Sequence, residues 1–123
     1  MFKKNATRQV GVEGETIAEN YLEEQGYHII ERNARCPLGE IDFVAEHQGT
    51  LVFLEVKMRH GTECGWPEEA VGKFKQRKLI RLAQWYLLEM GGEEPPCRFD
   101  VLSILTEFGE TRIKLIQNAF EIN

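Results

Sequence analysis

The sequence predicts a mixed β-sheet flanked by helices, of the α/β or α+β class, with elements in the order α-β-β-β-α-β-β. Three observations point there. A helical apolar stripe near the N-terminus stops at a glycine. Two pairs of short β-prone runs each meet at a glycine-containing turn. A long helical segment lies between those pairs and ends in glycines and prolines. At 123 residues the chain suits one domain spanning 1–123, with residues 1–8 expected to be flexible. The apolar fraction is 42% and no tract is of low complexity, so a packed core is expected rather than disorder.

The first helix is expected from about Gln9 to Gln25. Ile17, Ala18, Tyr21 and Leu22 make its apolar stripe, and Gly26 ends it. Gly11, Gly14 and Ala18 fall near that face and would let the helix approach the sheet closely. Tyr27 to Asn33 reads as a strand, and Cys36-Pro37-Leu38-Gly39 as a loop. Ile41 to Glu46 and Leu51 to Lys57 form a hairpin around Gln48-Gly49. A loop covers His60 to Trp66. Pro67-Glu68-Glu69 opens the second helix, with proline tolerated in the first turn and acids facing the dipole. That helix should run to about Met90, before Gly91-Gly92 and Pro95-Pro96. Arg98 to Leu105 and Thr111 to Gln117 are strands around Phe108-Gly109.

No run approaches the ~20 apolar residues that span a bilayer. The stretch MFKKNATRQV has no apolar core, so no secretory signal is expected. Cys36, Cys64 and Cys97 are widely spaced and odd in number. A disulfide framework or zinc site is not expected, and a reducing cytoplasm is. The net charge of −5 argues against non-specific coating of nucleic acid. The charge is uneven, however. Lys57, Arg59, Lys73, Lys75, Arg77, Lys78 and Arg81 share a window with only Glu63, Glu68 and Glu69. Such a local basic region fits one meeting place with a polyanion, or else a solvated helix face.

The stretch "GEIDFVAEHQGTLVFLEVKMR" carries charge among core-type residues. Pairing across Gln48-Gly49 makes opposed residue numbers sum to 97. Asp42 then faces Glu55, and Glu40 faces Lys57. Opposed Cβ atoms lie roughly 4.5–5.5 Å apart, and two carboxylates that close repel by ~4 kcal/mol at an effective dielectric near 20. A divalent cation would convert the repulsion into a site, since Mg²⁺ is usually held by one or two carboxylates plus water and phosphate oxygens. Lys57 points the same way and could orient a water or offset developing charge. The alternative is a wet face with a Glu40–Lys57 surface ion pair. A one-residue slip would undo the alignment. On the second helix, Lys75 shares the inward stripe with Leu79, Leu82 and Tyr86, where it reaches the acidic cluster or snorkels at the rim.

The spacing D-(x12)-E-x-K, as Asp42, Glu55, Val56 and Lys57, resembles the PD-(D/E)XK nuclease signature, with Ile41 where the motif has proline. Together with "GVEGETIAENYLEEQGYHIIERNAR", "EEAVGKFKQRKLIRLAQWYL" and "RFDVLSI", it resembles the YraN-like family of small bacterial proteins over about Gly11 to Phe120. That family is similar to archaeal Holliday-junction resolvases. The resemblance implies an α/β, restriction-endonuclease-like fold. It implies that Asp42 and Glu55 hold Mg²⁺ or Mn²⁺, aided by the Val56 carbonyl and Glu15, while Lys57 is catalytic. Glu13 and Glu19 fit the helix position less well than Glu15, which reads equally as a favourable acid in a first turn. Lys75, Arg59, Lys73, Arg77, Lys78 and Arg81 would contact the backbone of structured or branched DNA. Resolvases act on two-fold symmetric junctions, which implies a homodimer.

The rival is a non-catalytic nucleic-acid-binding or protein-interaction module that keeps the fold. Other chemistries fare worse. His28, His47 and His60 show no metal-ligand spacing, and no nucleophile elbow, P-loop or dinucleotide fingerprint occurs. Trp66 is expected to staple its loop to the following helix rather than stack on a base.

Overall fold

The computed structural model describes residues 12–61 and 72–120. Helix α1 (Val12–Glu24) is followed by strands β1 (His28–Cys36), β2 (Gly39–His47) and β3 (Thr50–His60). Helix α2 (Lys73–Glu89) and strands β4 (Cys97–Glu107) and β5 (Glu110–Phe120) complete the order. The five strands form one sheet in chain order. Only β3 and β4 are parallel, and α2 makes the crossover between them. The class is α/β, with the element order that the sequence predicts. Residues 1–8, Cys64, Trp66 and Pro67 to Glu69 lie outside the described residues.

The alternation of β3 separates two cores. Val52, Leu54, Val56 and Met58 pack with Ala18 and Leu22 of α1. Phe53 packs with Leu79, Leu82 and Ala83 of α2. The helices therefore cover opposite faces, and β3 is apolar on both sides because it is a central strand. The β2–β3 and β4–β5 turns each place two successive residues at positive φ: Gln48 and Gly49, then Phe108 and Gly109. Such two-residue turns match the twist of the flanking strands.

Helix α2 differs from the sequence expectation at its start. It begins at Lys73, after Gly72 in an extended conformation at φ −82 and ψ −178. Gly72 itself is not helical, and glycine leaves the helical well easily. The consequence is electrostatic. The first turn carries no acid, and Gly72 offers no side-chain cap. Lys73, Lys75, Arg77 and Lys78 instead crowd the positive end of the helix dipole.

A second irregularity falls on β2. Phe43 packs on the α1 side and Ile41 on the α2 side, although residues two apart in a regular strand share a face. The alternation therefore breaks at Asp42. On β1, Asn33 lies between the pairs Arg32–Phe43 and Ala34–Ile41, level with Asp42, and has φ +53. Both strands turn over at the same level. Among the described residues, no helix is long and apolar enough to cross a membrane.

Candidate functional site

The β2–β3 register is the one expected: the pairs from His47–Thr50 to Phe43–Leu54 all sum to 97. Regular pairing stops at Phe43–Leu54. At the next level Asp42 is not a simple cross-strand partner of Glu55. Its Oδ2 instead accepts a hydrogen bond from the Val56 backbone N–H at 2.9 Å. A side chain has replaced a ladder carbonyl, because the flip at Asp42 turns its carboxylate toward β3. This sets Asp42, 3% exposed, beside the Glu55–Val56–Lys57 segment.

Glu55, 7% exposed, lies on the α2 face. A carboxylate so buried needs compensation, and two lysines supply it. Lys57 Nζ stands 3.4 Å from Glu55 Oε2, and Lys75 Nζ stands 3.1 Å from the same oxygen. Lys57 arrives along its own strand. Lys75 arrives from the first turn of α2, one turn before Leu79, as the inward stripe implied. Arg59, two residues past Lys57, is half-buried, and its Nε is shielded from solvent. Glu15 sits one turn before Ala18 on the buried side of α1, with its Oε2 out of solvent. Lys73, Arg77, Lys78 and Arg81 are exposed. Glu19 is committed elsewhere, to an ion pair with Arg32 that holds its carboxyl below the usual range.

Asp42 and Glu55 are both buried and flank Val56, and Mg²⁺ accepts as few as one or two carboxylates when water and phosphate complete its shell. Among the described residues, no three His, Cys, Asp or Glu side chains come together in a group able to hold a metal. Ser103 also belongs to this neighbourhood. It pairs in register with Lys57, is fully buried, and its Oγ has no hydrogen-bond partner. A serine between apolar neighbours on a strand gives no distinctive sequence signal.

The opposite face carries a network that sequence reasoning missed. Asp100, 1% exposed, accepts from Tyr27 Oη at 2.7 Å, from Arg98 Nε at 3.0 Å and from the Asn118 N–H at 2.9 Å. Arg98 also donates to Tyr27 Oη and to His47 Nδ1, and Gln117 donates to Tyr27 Oη. Tyr27 stacks on His47 with ring centroids 4.2 Å apart. Burial pushes the Tyr27 phenol up, and its hydrogen bond to Asp100 pushes further. Burial would lower the Arg98 guanidinium, but the bonds to Asp100 and Tyr27 outweigh it and raise it. Asn118, at φ +52, lies where the β4–β5 register shifts. Asp100 thus does for β5 what Asp42 does for β3: a buried carboxylate takes the backbone N–H where a ladder is interrupted. The pattern Arg98-x-Asp100, two charges on one face of an apolar strand, was the available signal.

This geometry defines a class: an α/β protein whose mixed five-stranded sheet carries a buried acid–lysine cluster where its central hairpin opens. Within that class the chain belongs to the family described as "Uncharacterised protein family UPF0102", whose model matches residues 14–104. It is 51% identical over 115 residues to a UPF0102 protein of Symbiobacterium thermophilum, covering 93% of this chain and 98% of that one. A UPF0102 protein of Lachnoclostridium phytofermentans is 53% identical over 112 residues, covering 90% and 92%. One from Syntrophotalea carbinolica is 44% identical over 110 residues, covering 89% of each.

Proposed function

We propose that this chain is a metal-dependent endonuclease that hydrolyses phosphodiester bonds in structured or branched DNA, working in the cytoplasm as a homodimer. One observation carries the reading: β2 opens from β3 at Asp42, setting a buried carboxylate beside Glu55 and Lys57 in the spacing D-(x12)-E-x-K. The sum of two buried acids and two convergent lysines is expensive for a protein selected only for stability. It suits a site that meets phosphate.

In this reading Asp42, Glu55 and the Val56 carbonyl hold Mg²⁺ or Mn²⁺. When bound, the cation supplies a water of lowered pKa and neutralises charge on the scissile phosphate. Lys57 orients that water and offsets charge developing on the phosphoryl oxygens. Lys75 leaves Glu55 for a phosphate oxygen. Arg59, Lys73, Arg77, Lys78 and Arg81 hold the backbone.

Calorimetry with Mn²⁺ tests the site. Wild type should give weak binding heat, since a few carboxylates leave most of the coordination to water. The double variant Asp42→Ala with Glu55→Ala should give none. Equal heats from the two proteins would remove the metal site.

A further inference from the structure

We infer that the groove between α2 and the β1–β2 turn binds an unpaired nucleotide of a single strand, with its base on Phe74 and its phosphates on Arg77, Lys78 and Arg81. The inference deepens the nuclease reading and rests on it for the role of the neighbouring Glu55 cluster. Phe74, Arg77, Lys78 and Arg81 occupy i, i+3, i+4 and i+7 of α2, a single stripe. With Leu38 they line a groove of about 380 Å³. Phe74 is 77% exposed and Leu38 46%. Gly39 lies against Lys78: a Cβ there would stand 3.3 Å from Lys78 Cε, so glycine lets Lys78 lie across the turn.

Three features select the occupant. Cations crowd the end of a helix whose dipole already repels them, in a chain of net charge −5. An anion there relieves both costs. Phe74 is a large apolar ring left in water among those cations, an arrangement that serves stacking plus phosphate contact. A paired base keeps its faces against its neighbours, so only an unpaired base can lie on the ring. Finally, Phe74 adjoins Lys75, whose Nζ is 3.1 Å from Glu55 Oε2. The groove and the acid–lysine cluster thus share the first two turns of α2. An acidic peptide could meet the cations but has no planar base to stack.

The test measures binding without cleavage. Full-length protein in EDTA is titrated against a fluorescein-labelled 12-mer oligothymidylate, a 12-base-pair duplex and an acidic 12-mer peptide. Wild type should prefer the oligothymidylate. Phe74→Ala should weaken that complex roughly 5- to 150-fold, the range expected for one stacked base, and change duplex affinity by less than about twofold. Phe74→Trp should restore binding, and Leu88→Ala, on exposed α2 surface outside the groove, should change nothing. Equal losses for single strand and duplex, no loss, or preference for the peptide would overturn the inference. Phe74-dependent binding in EDTA, with every substrate left uncut when Mg²⁺ or Mn²⁺ is then added, would sink the nuclease reading and leave this one standing. Duplex cleavage with Phe74-independent binding would do the reverse.

Discussion

Asp100→Asn probes the network that holds the sheet opposite the candidate site. Asparagine keeps the shape but loses the charge and one acceptor oxygen. Asp100 receives three kinds of donor, from Tyr27, Arg98 and Asn118, and is almost fully buried. After the substitution the Arg98 guanidinium stays charged and confined, its side chain only 18% exposed. Breaking one side of a buried pair costs about 3–5 kcal/mol, and some exposure of Arg98 favours about 3. For a chain of this size that corresponds to a fall in Tm of roughly 10 °C. Urea unfolding followed by circular dichroism measures it, with Arg98→Met and the double variant completing a cycle. The double variant should be less destabilised than the sum of the singles by at least about 1 kcal/mol. A loss below about 1 kcal/mol for Asp100→Asn, or strict additivity, would refute a buried, mutually dependent pair.

Three further outcomes are expected. Because the folded Tyr27 phenol titrates above its ordinary value of 10.0, the unfolded chain releases its proton first as pH rises. Stability should then fall from about pH 10 through the folded value, and Tyr27→Phe should flatten that slope in Tm measured against pH. Gly39→Ala should cost about 1–2 kcal/mol in urea unfolding, since φ is +150 there and the new Cβ presses on Lys78. Lys57→Ala should abolish cleavage while leaving DNA affinity nearly unchanged, whereas Arg77→Glu with Arg81→Glu should weaken binding and lower the salt slope by about two units.

The hairpin was legible because its turn and alternation are local. Gln48-Gly49 fixed the register as far as Phe43–Leu54, and just beyond it the Asp42 carboxylate meets the Val56 N–H rather than facing Glu55. Lys75 was legible for the same reason, since a lysine on a stripe of Leu79, Leu82 and Tyr86 must point inward. What failed to show was non-local or irregular. The face change at Asp42 lies level with Asn33, at positive φ on another strand, and the Asp42 hydrogen bond to Val56 replaces a pairing that periodicity assumes. The Tyr27–Asp100 contact joins residues 73 apart, a partnership that composition does not encode. The extended Gly72 was hidden inside an otherwise helical pattern, and with α2 starting at Lys73 the first turn is cationic.

A cleavage panel tests the proposed chemistry most directly. Branched, duplex and single-stranded DNA, and RNA, are incubated with wild type and Asp42→Ala in Mg²⁺ or Mn²⁺. Wild type should cut at least one DNA substrate only when the cation is present, and Asp42→Ala should cut none. Wild type that binds DNA in Mn²⁺ yet leaves every substrate intact would contradict the nuclease proposal and favour the binding module.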